Sequence, residues 1–247
     1  MTLRRLDSLD ALRGVAIVWM TLYHLCFDLN HFGHLHQDFY RDPLWTWQRT
    51  AIVSVFLFTA GMGQAVAVHR GQGWPRFWRR WAQVAGSALL VSAGSYLMYP
   101  QSFIYFGVLH GLAVMLLVAR LTAGWGRWLW LLGGLAIAMK FVAAYAHGAW
   151  AGLDFLNQNA FNWLGLISRK PATEDYVPLL PWLGVVWWGM AAASSLLRRR
   201  PDALPMPGRT QGPAVRALAA LGRWSLSYYL VHQPVLIGLL MAIATLR

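Results

Sequence analysis

One long apolar run of the sequence, "LDALRGVAIVWMTLYHLCFDLN" at residues 9–30, carries Arg13, His24 and Asp28. An ionisable side chain inside a membrane span costs about 2.5–3.5 kcal/mol on insertion scales, and such residues are usually functional. Arg13 and His24 are eleven positions apart. On a helix that spacing returns nearly to the same face and separates them by about 16 Å along the axis. His24 and Asp28 are at i, i+4 and so are neighbours on a helix surface. Histidine is the usual general base near neutral pH. A carboxylate one turn away can fix its tautomer and stabilise the imidazolium. Arginine suits phosphate recognition. The stripe therefore fits group transfer across a membrane, with a phosphate-bearing donor at one end and a base towards the other. Each residue also has a structural reading. Arg13 can snorkel to the interface, His24 can bond a neighbouring helix, and Asp28 can cap a helix or pair with Arg41 or Arg49.

Other apolar runs add polar groups. His110 lies in "FGVLHGLAV" and His232 in "SLSYYLVHQPVL", where Pro234 should kink the helix and free backbone carbonyls. Both histidines can equally serve as interhelical hydrogen-bonding groups. Asp175 stands in "EDYVPLLPW", just before a further run. His31, His34 and His36 are close together in "HFGHLH", but with no matching carboxylate motif they are weak evidence for a metal site. No metal is expected.

The elements that must position these residues are set by composition. The chain of 247 residues is 57% hydrophobic and 12% charged, with 15 Trp and a mean hydropathy of +0.42. About 25% charged residues is usual in soluble domains, so an all-α bundle of membrane-spanning helices is expected. A span needs about 20 apolar residues. Seven runs qualify, at roughly 11–30, 46–68, 81–99, 103–121, 126–147, 179–197 and 224–245. The net charge of +12 does not imply nucleic-acid binding, because the basic residues lie between apolar runs. Fifteen of them, including Arg4, Arg5, Arg13, Arg200, Arg209 and Arg223, fall on one side of this topology, and five, including Arg247, on the other. The bias predicts a cytosolic N-terminus and an external C-terminus. Lys140, within the fifth run, would snorkel outward. The connection "RRRPDALPMPGRTQGP" reads as a flexible cytosolic loop, and residues 148–178 as a long external one. The single cysteine, Cys26, excludes an intramolecular disulfide. No cleavable signal peptide is expected, since no small-residue cleavage site follows the first run.

The stretch "RLDSLDALRGVAIVWMTLYHLCFDL" resembles the first helix of the heparan-alpha-glucosaminide N-acetyltransferase-like family of bacterial integral membrane acyltransferases. Further matches follow in order: "FLFTAGMG" (56–63), "FGVLHG" (106–111), "DYVPLLPW" (175–182) and "GRWSLSYYLVHQPVL" (222–236). The resemblance implies a single transmembrane acyltransferase domain over 1–247 in the bacterial inner membrane, possible as a homodimer. It would move an acetyl group from cytosolic acetyl-CoA to an amino or hydroxyl group of a sugar-type acceptor beyond the bilayer. By the resemblance His24 is the catalytic histidine, Asp28, His110 and Asp175 are further catalytic candidates, and Arg13, His232 and Arg223 are donor-binding. One departure is Trp224, where relatives are expected to carry a histidine. Two rival classes stay open on residues alone: a transporter, which suits a polar stripe and a Pro-broken helix, and a non-catalytic membrane subunit.

Overall fold

The computed structural model describes residues 7–199 and 212–245. They form eight α-helices: α1 (Asp7–His31), α2 (Pro43–His69), α3 (Trp74–Met98), α4 (Val108–Leu121), α5 (Trp128–Ala149), α6 (Leu179–Arg199), α7 (Pro213–Arg223) and α8 (Ser225–Thr245). Short 3-10 turns lie at Ala123–Trp125, Ala151–Asn157 and Asn162–Leu164. No strand occurs among the described residues. Helices α1, α2, α5, α6 and α8 are each long and apolar enough to cross a bilayer. The protein is a multi-pass α-helical membrane protein.

The elements differ from the sequence expectation in three places. The third run was expected as a span from 81, but α3 begins at Trp74, taking in Arg76, Arg79 and Arg80, and is not among the helices apolar enough to cross a bilayer. The fourth run was expected from 103, but α4 begins at Val108 and has 14 residues. That is about 21 Å of helix, short of a hydrocarbon core of about 30 Å. Residues 99–107 fold as a turn because α3 serines capture their backbone. Ser92 Oγ donates to the Ile104 carbonyl at 2.6 Å, and the Ile104 amide donates to Ser95 Oγ at 2.9 Å. The end of the sixth connection is also helical. Pro213 sits in the first turn of α7, where its missing N–H is harmless. Most of that Pro- and Gly-rich connection lies outside the described residues, as do Arg4, Arg5, Arg200, Arg209 and Arg247, so the charge bias behind the topology rests partly on positions not described.

The described residues fall into two compact units. The first holds α1, the first half of α2 up to Phe56, α7 and α8; the second runs from Leu57 through α6. In the first, α1 packs on α7 and α8. Two glycines set the α1–α7 distance. A Cβ on Gly14 would run into the Leu218 carbonyl, and one on Gly222 into the Asp10 carbonyl. Such small-residue crossings are how membrane helices reach close contact without a hydrophobic driving force. Thr21 Oγ1 and Tyr228 Oη, 2.8 Å apart, tie α1 to α8, and Trp19 Nε1 donates to Gln48 Oε1 of α2 at 3.1 Å. Met20, Tyr23, Phe39 and Ile52 form the buried core around these ties.

The second unit repeats the device. Gly133 of α5 and Gly184 of α6 meet backbone to backbone, and Gly61 of α2 abuts the Val186 carbonyl. Indole N–H groups then fasten the helices. Trp188 donates to the Trp130 carbonyl at 3.0 Å, Trp187 to Thr122 Oγ1 at 2.9 Å, and Trp81 to the Ala113 carbonyl at 2.9 Å.

Gly222→Val should therefore be disruptive, because the atom it strikes is backbone. We expect a loss of about 3 kcal/mol or more, at or above the usual range for overpacking. Gly86→Ala in α3, with open space at the added methyl, should be neutral or gain up to about 1 kcal/mol. Thermal unfolding of the two variants in detergent checks this; equal melting temperatures would show that the crossing does not matter.

Candidate active site

His24 and Asp28 follow each other by one turn on α1, and α8 brings His232 and Gln233 against them. The imidazoles of His24 and His232 lie 5.1 Å apart, inclined at 63°. Tyr23 presents an edge to His24 at 5.7 Å. His232 is held on two sides. Tyr228 stacks on it at 5.8 Å, and its Nδ1 lies 2.8 Å from the Tyr229 carbonyl. A carbonyl only accepts, so Nδ1 carries the proton and Nε2 is left as an acceptor. That Nε2 is buried and has no hydrogen-bond partner among the described residues.

The spacing suggests His24 as the partner of Asp28. Its carboxylate is instead engaged by Gln233, whose Nε2 donates to Oδ1 at 2.8 Å. Asp28 is 3% exposed. Its Oδ2 and Gln233 Oε1 are also buried without a hydrogen-bond partner among the described residues. An unsatisfied buried polar atom costs about 1–3 kcal/mol. Three acceptors of this kind on adjoining turns of α1 and α8 call for a functional reason.

Arg13 and Arg223 lie at the opposite end of α1. Arg13 Nη1 pairs with Asp10 Oδ1 at 3.1 Å, and Arg223 Nη1 with Asp7 Oδ1 at 3.6 Å. Asp7 and Asp10 are in the first turn of α1, where carboxylates complement the helix dipole. Both arginines expected at the donor end are thus at one end of the unit, each already facing a carboxylate.

His110 and Asp175 belong to the second unit and build the N-terminus of α4. Asp175 Oδ2 accepts the Val108 amide at 2.7 Å, a cap supplied from a distant segment. His110 Nδ1 accepts the Gly107 amide at 3.3 Å. Its Nε2 therefore carries the proton and donates to Ser92 Oγ at 3.0 Å, whose own hydrogen goes to Ile104. Below them Asn162, fully buried, donates to Tyr105 Oη at 2.7 Å and accepts at its carbonyl from Tyr176 Oη at 2.6 Å. Burial holds both phenols above their ordinary range, so they stay hydroxyl donors.

Sequence reasoning missed Gln233 and Asn162. The first had a signal, since it sits between His232 and Pro234. Asn162 had none, because nothing in the loop sequence marks it as buried. The histidines of "HFGHLH" form no metal cluster, and no such group occurs among the described residues.

Fold and cluster together define a polytopic membrane protein with an enzyme-like set of polar groups between its helices. Residues 5–234 match the family described as heparan-alpha-glucosaminide N-acetyltransferase, catalytic. The chain belongs to that family and is a transmembrane acetyltransferase in class. No curated protein and no solved structure gives a significant match to it.

Two substitutions separate the clusters. Gln233→Leu strands the Asp28 carboxylate and should cost about 2–3 kcal/mol. Asp175→Ala removes one helix cap and should cost about 1 kcal/mol. Denaturant titrations in mixed micelles read both; a neutral Gln233→Leu would mean that Asp28 does not depend on that bond.

Proposed function

We propose that the chain transfers an acetyl group from cytosolic acetyl-CoA to an amino or hydroxyl group of a sugar-type acceptor on the far side of a bacterial inner membrane. The observation that carries this reading is the buried Nε2 of His232, without a hydrogen-bond partner among the described residues, beside the His24 ring. A membrane helix pair tolerates such a lone pair where a reacting group will meet it. Family membership supplies the reaction class, and the match over residues 5–234 supports one catalytic domain.

In the mechanism we infer, the acceptor nucleophile attacks the thioester carbonyl. His24 takes the proton that the nucleophile releases, and the CoA thiolate leaves and is reprotonated. A two-step route, with the acetyl group first on His24, uses the same geometry; rapid-quench burst kinetics distinguish it. His232, in its fixed tautomer, accepts an N–H from His24 or the acceptor and orients it. The Asp28–Gln233 pair supplies negative charge one turn away, which favours the imidazolium once it forms. Arg13 and Arg223 would exchange their carboxylate partners for the donor's phosphates, a favourable swap for guanidinium groups. His110 and Asp175 shape the start of α4.

The test is CoA release by purified protein given acetyl-CoA and a panel of amino sugars. His24→Ala should lower turnover by about 10²–10⁴-fold, the usual contribution of a general base. His232→Phe should lower kcat with little change in the KM for acetyl-CoA. Normal turnover by His24→Ala would remove the central assignment.

A further inference from the structure

The start of α3, "WPRFWRRW" at residues 74–81, takes no part in the site above. Two stripes run along it at helical spacing. Trp74, Phe77, Trp78 and Trp81 stand at i, i+3, i+4 and i+7, and so do Arg76, Arg79, Arg80 and Gln83. At 3.6 residues per turn the two stripes lie on opposite faces of the helix.

The aromatic stripe is docked. Trp81 Nε1 donates to the Ala113 carbonyl of α4 at 2.9 Å. Phe77 is buried, with the Trp74 ring 5.4 Å and the Trp78 ring 5.3 Å away. Arg120, in the last turn of α4, lays its guanidinium over Trp74 and Phe77 at 5.3 and 5.8 Å and donates to the Gln72 carbonyl. With one stripe held against α4, the other is turned outward, and Arg76, Arg79 and Arg80 are all exposed.

These cations have no carboxylate within reach in their own unit. Between Asp42 and Asp154 the chain contains no acidic residue. The acids of the second unit are Asp154, Glu174 and Asp175. Asp154 pairs with Arg169. Glu174 accepts from Ser102, and Asp175 from the Val108 amide, both beyond the far end of α3. Ser92, which holds that turn, is about 18 Å along the helix from Arg80. Exposed charges separated by more than about 8–10 Å are largely screened. Arg80 bonds Gln83 Oε1 at 3.1 Å, and Arg76 and Arg79 make no ion pair among the described residues.

The polarity along the outward face identifies the source of the missing negative charge. Positions 76, 83, 90 and 97, two turns apart and so on one side of the helix, are Arg, Gln, Leu and Leu. Leu90 and Leu97 are exposed. Trp74 and Trp78 keep 42% and 44% of their surface exposed, and exposed indoles settle at headgroup depth. The face thus runs from guanidinium and indole to bare aliphatic surface, the order in which a bilayer runs from phosphate to acyl chain. Guanidinium groups take phosphate oxygens in pairs. A soluble anion uses only the first part of this gradient; a phospholipid uses all of it.

We propose that the outward face of α3 is a binding site for an anionic phospholipid, with its phosphate held by Arg76, Arg79 and Arg80 and its acyl chain running towards Leu90. The site lies on α3 alone and is independent of the transferase reading.

The experiment titrates the full-length protein in neutral detergent micelles with two lipids of identical chains, phosphatidylglycerol and phosphatidylcholine. Native mass spectrometry counts the bound lipid, and melting temperature is the fold control. We expect phosphatidylglycerol to bind at least tenfold more tightly, with an advantage that shrinks as salt rises. Arg76→Gln and Arg79→Gln should each lower that preference about fivefold, the usual effect of one basic group at an anionic surface. The triple variant that adds Arg80→Gln should abolish it. A control that removes the same charge elsewhere, through Arg127→Gln, Arg198→Gln and Arg199→Gln together, should keep it. Equal affinity of the wild type for the two lipids, or unchanged preference in the triple variant, would overturn the site. An equal loss in the control would also overturn it, since binding would then follow overall charge. Displacement of phosphatidylglycerol by acetyl-CoA that itself fails to bind the triple variant would give these arginines to the donor's phosphates and remove the lipid.

Discussion

Inside a bilayer no water is available to satisfy a polar group, so each one must find a partner in the protein or have a reason to go without. Most of this chain obeys the first condition. Backbone groups are satisfied within helices. Serines recover the turn before α4, and indole N–H groups of Trp81, Trp187 and Trp188 each find an oxygen on another helix. The second condition is met in few places, and one of them stands out. Asp28 Oδ2, Gln233 Oε1 and His232 Nε2 are buried, without a hydrogen-bond partner among the described residues, and carried by adjoining turns of two helices. Gln233 Oε1 accepts only, and His232 Nε2 is confined to accepting by its tautomer. At the other end of α1 the packing is close, because α7 meets α1 across Gly14 and Gly222.

Much of this architecture is legible in the sequence. Seven apolar runs correspond to seven helices, and the spacing of Arg13, His24 and Asp28 along α1 follows from helix geometry alone. What was not legible depends on tertiary contact. Hydropathy cannot see that Ser92 and Ser95 capture the backbone of Ile104, so it begins the fourth helix too early. Periodicity within α1 pairs Asp28 with His24, but α8 offers Gln233 with better geometry, and the side chain follows the hydrogen bond. The helical turn at Pro213–Arg223 was hidden in a connection whose Pro and Gly content reads as loop.

His110 and Asp175 show how a residue that a motif nominates can also carry structure. Both are polar groups at the ends of apolar segments, the profile of catalytic residues. In this fold both bond the start of α4. Asp175 takes the first free amide of α4, and His110 spends both ring nitrogens on its own turn and on Ser92. A histidine with both nitrogens engaged has little left to offer a substrate. A histidine with one nitrogen locked and the other free, as His232 is, has one open valence facing its neighbour.

That lock on His232 bears on bioenergetics. A histidine conducts protons through a membrane by taking one at one nitrogen and releasing another from the opposite nitrogen. Nδ1 of His232 gives its hydrogen to the Tyr229 carbonyl, which has no proton to exchange and no onward path. A proton can enter this ring only at Nε2 and must leave by the same atom. The imidazole is a cul-de-sac and not a wire, so a polar cluster set within the membrane helices can handle protons without discharging the gradient across them.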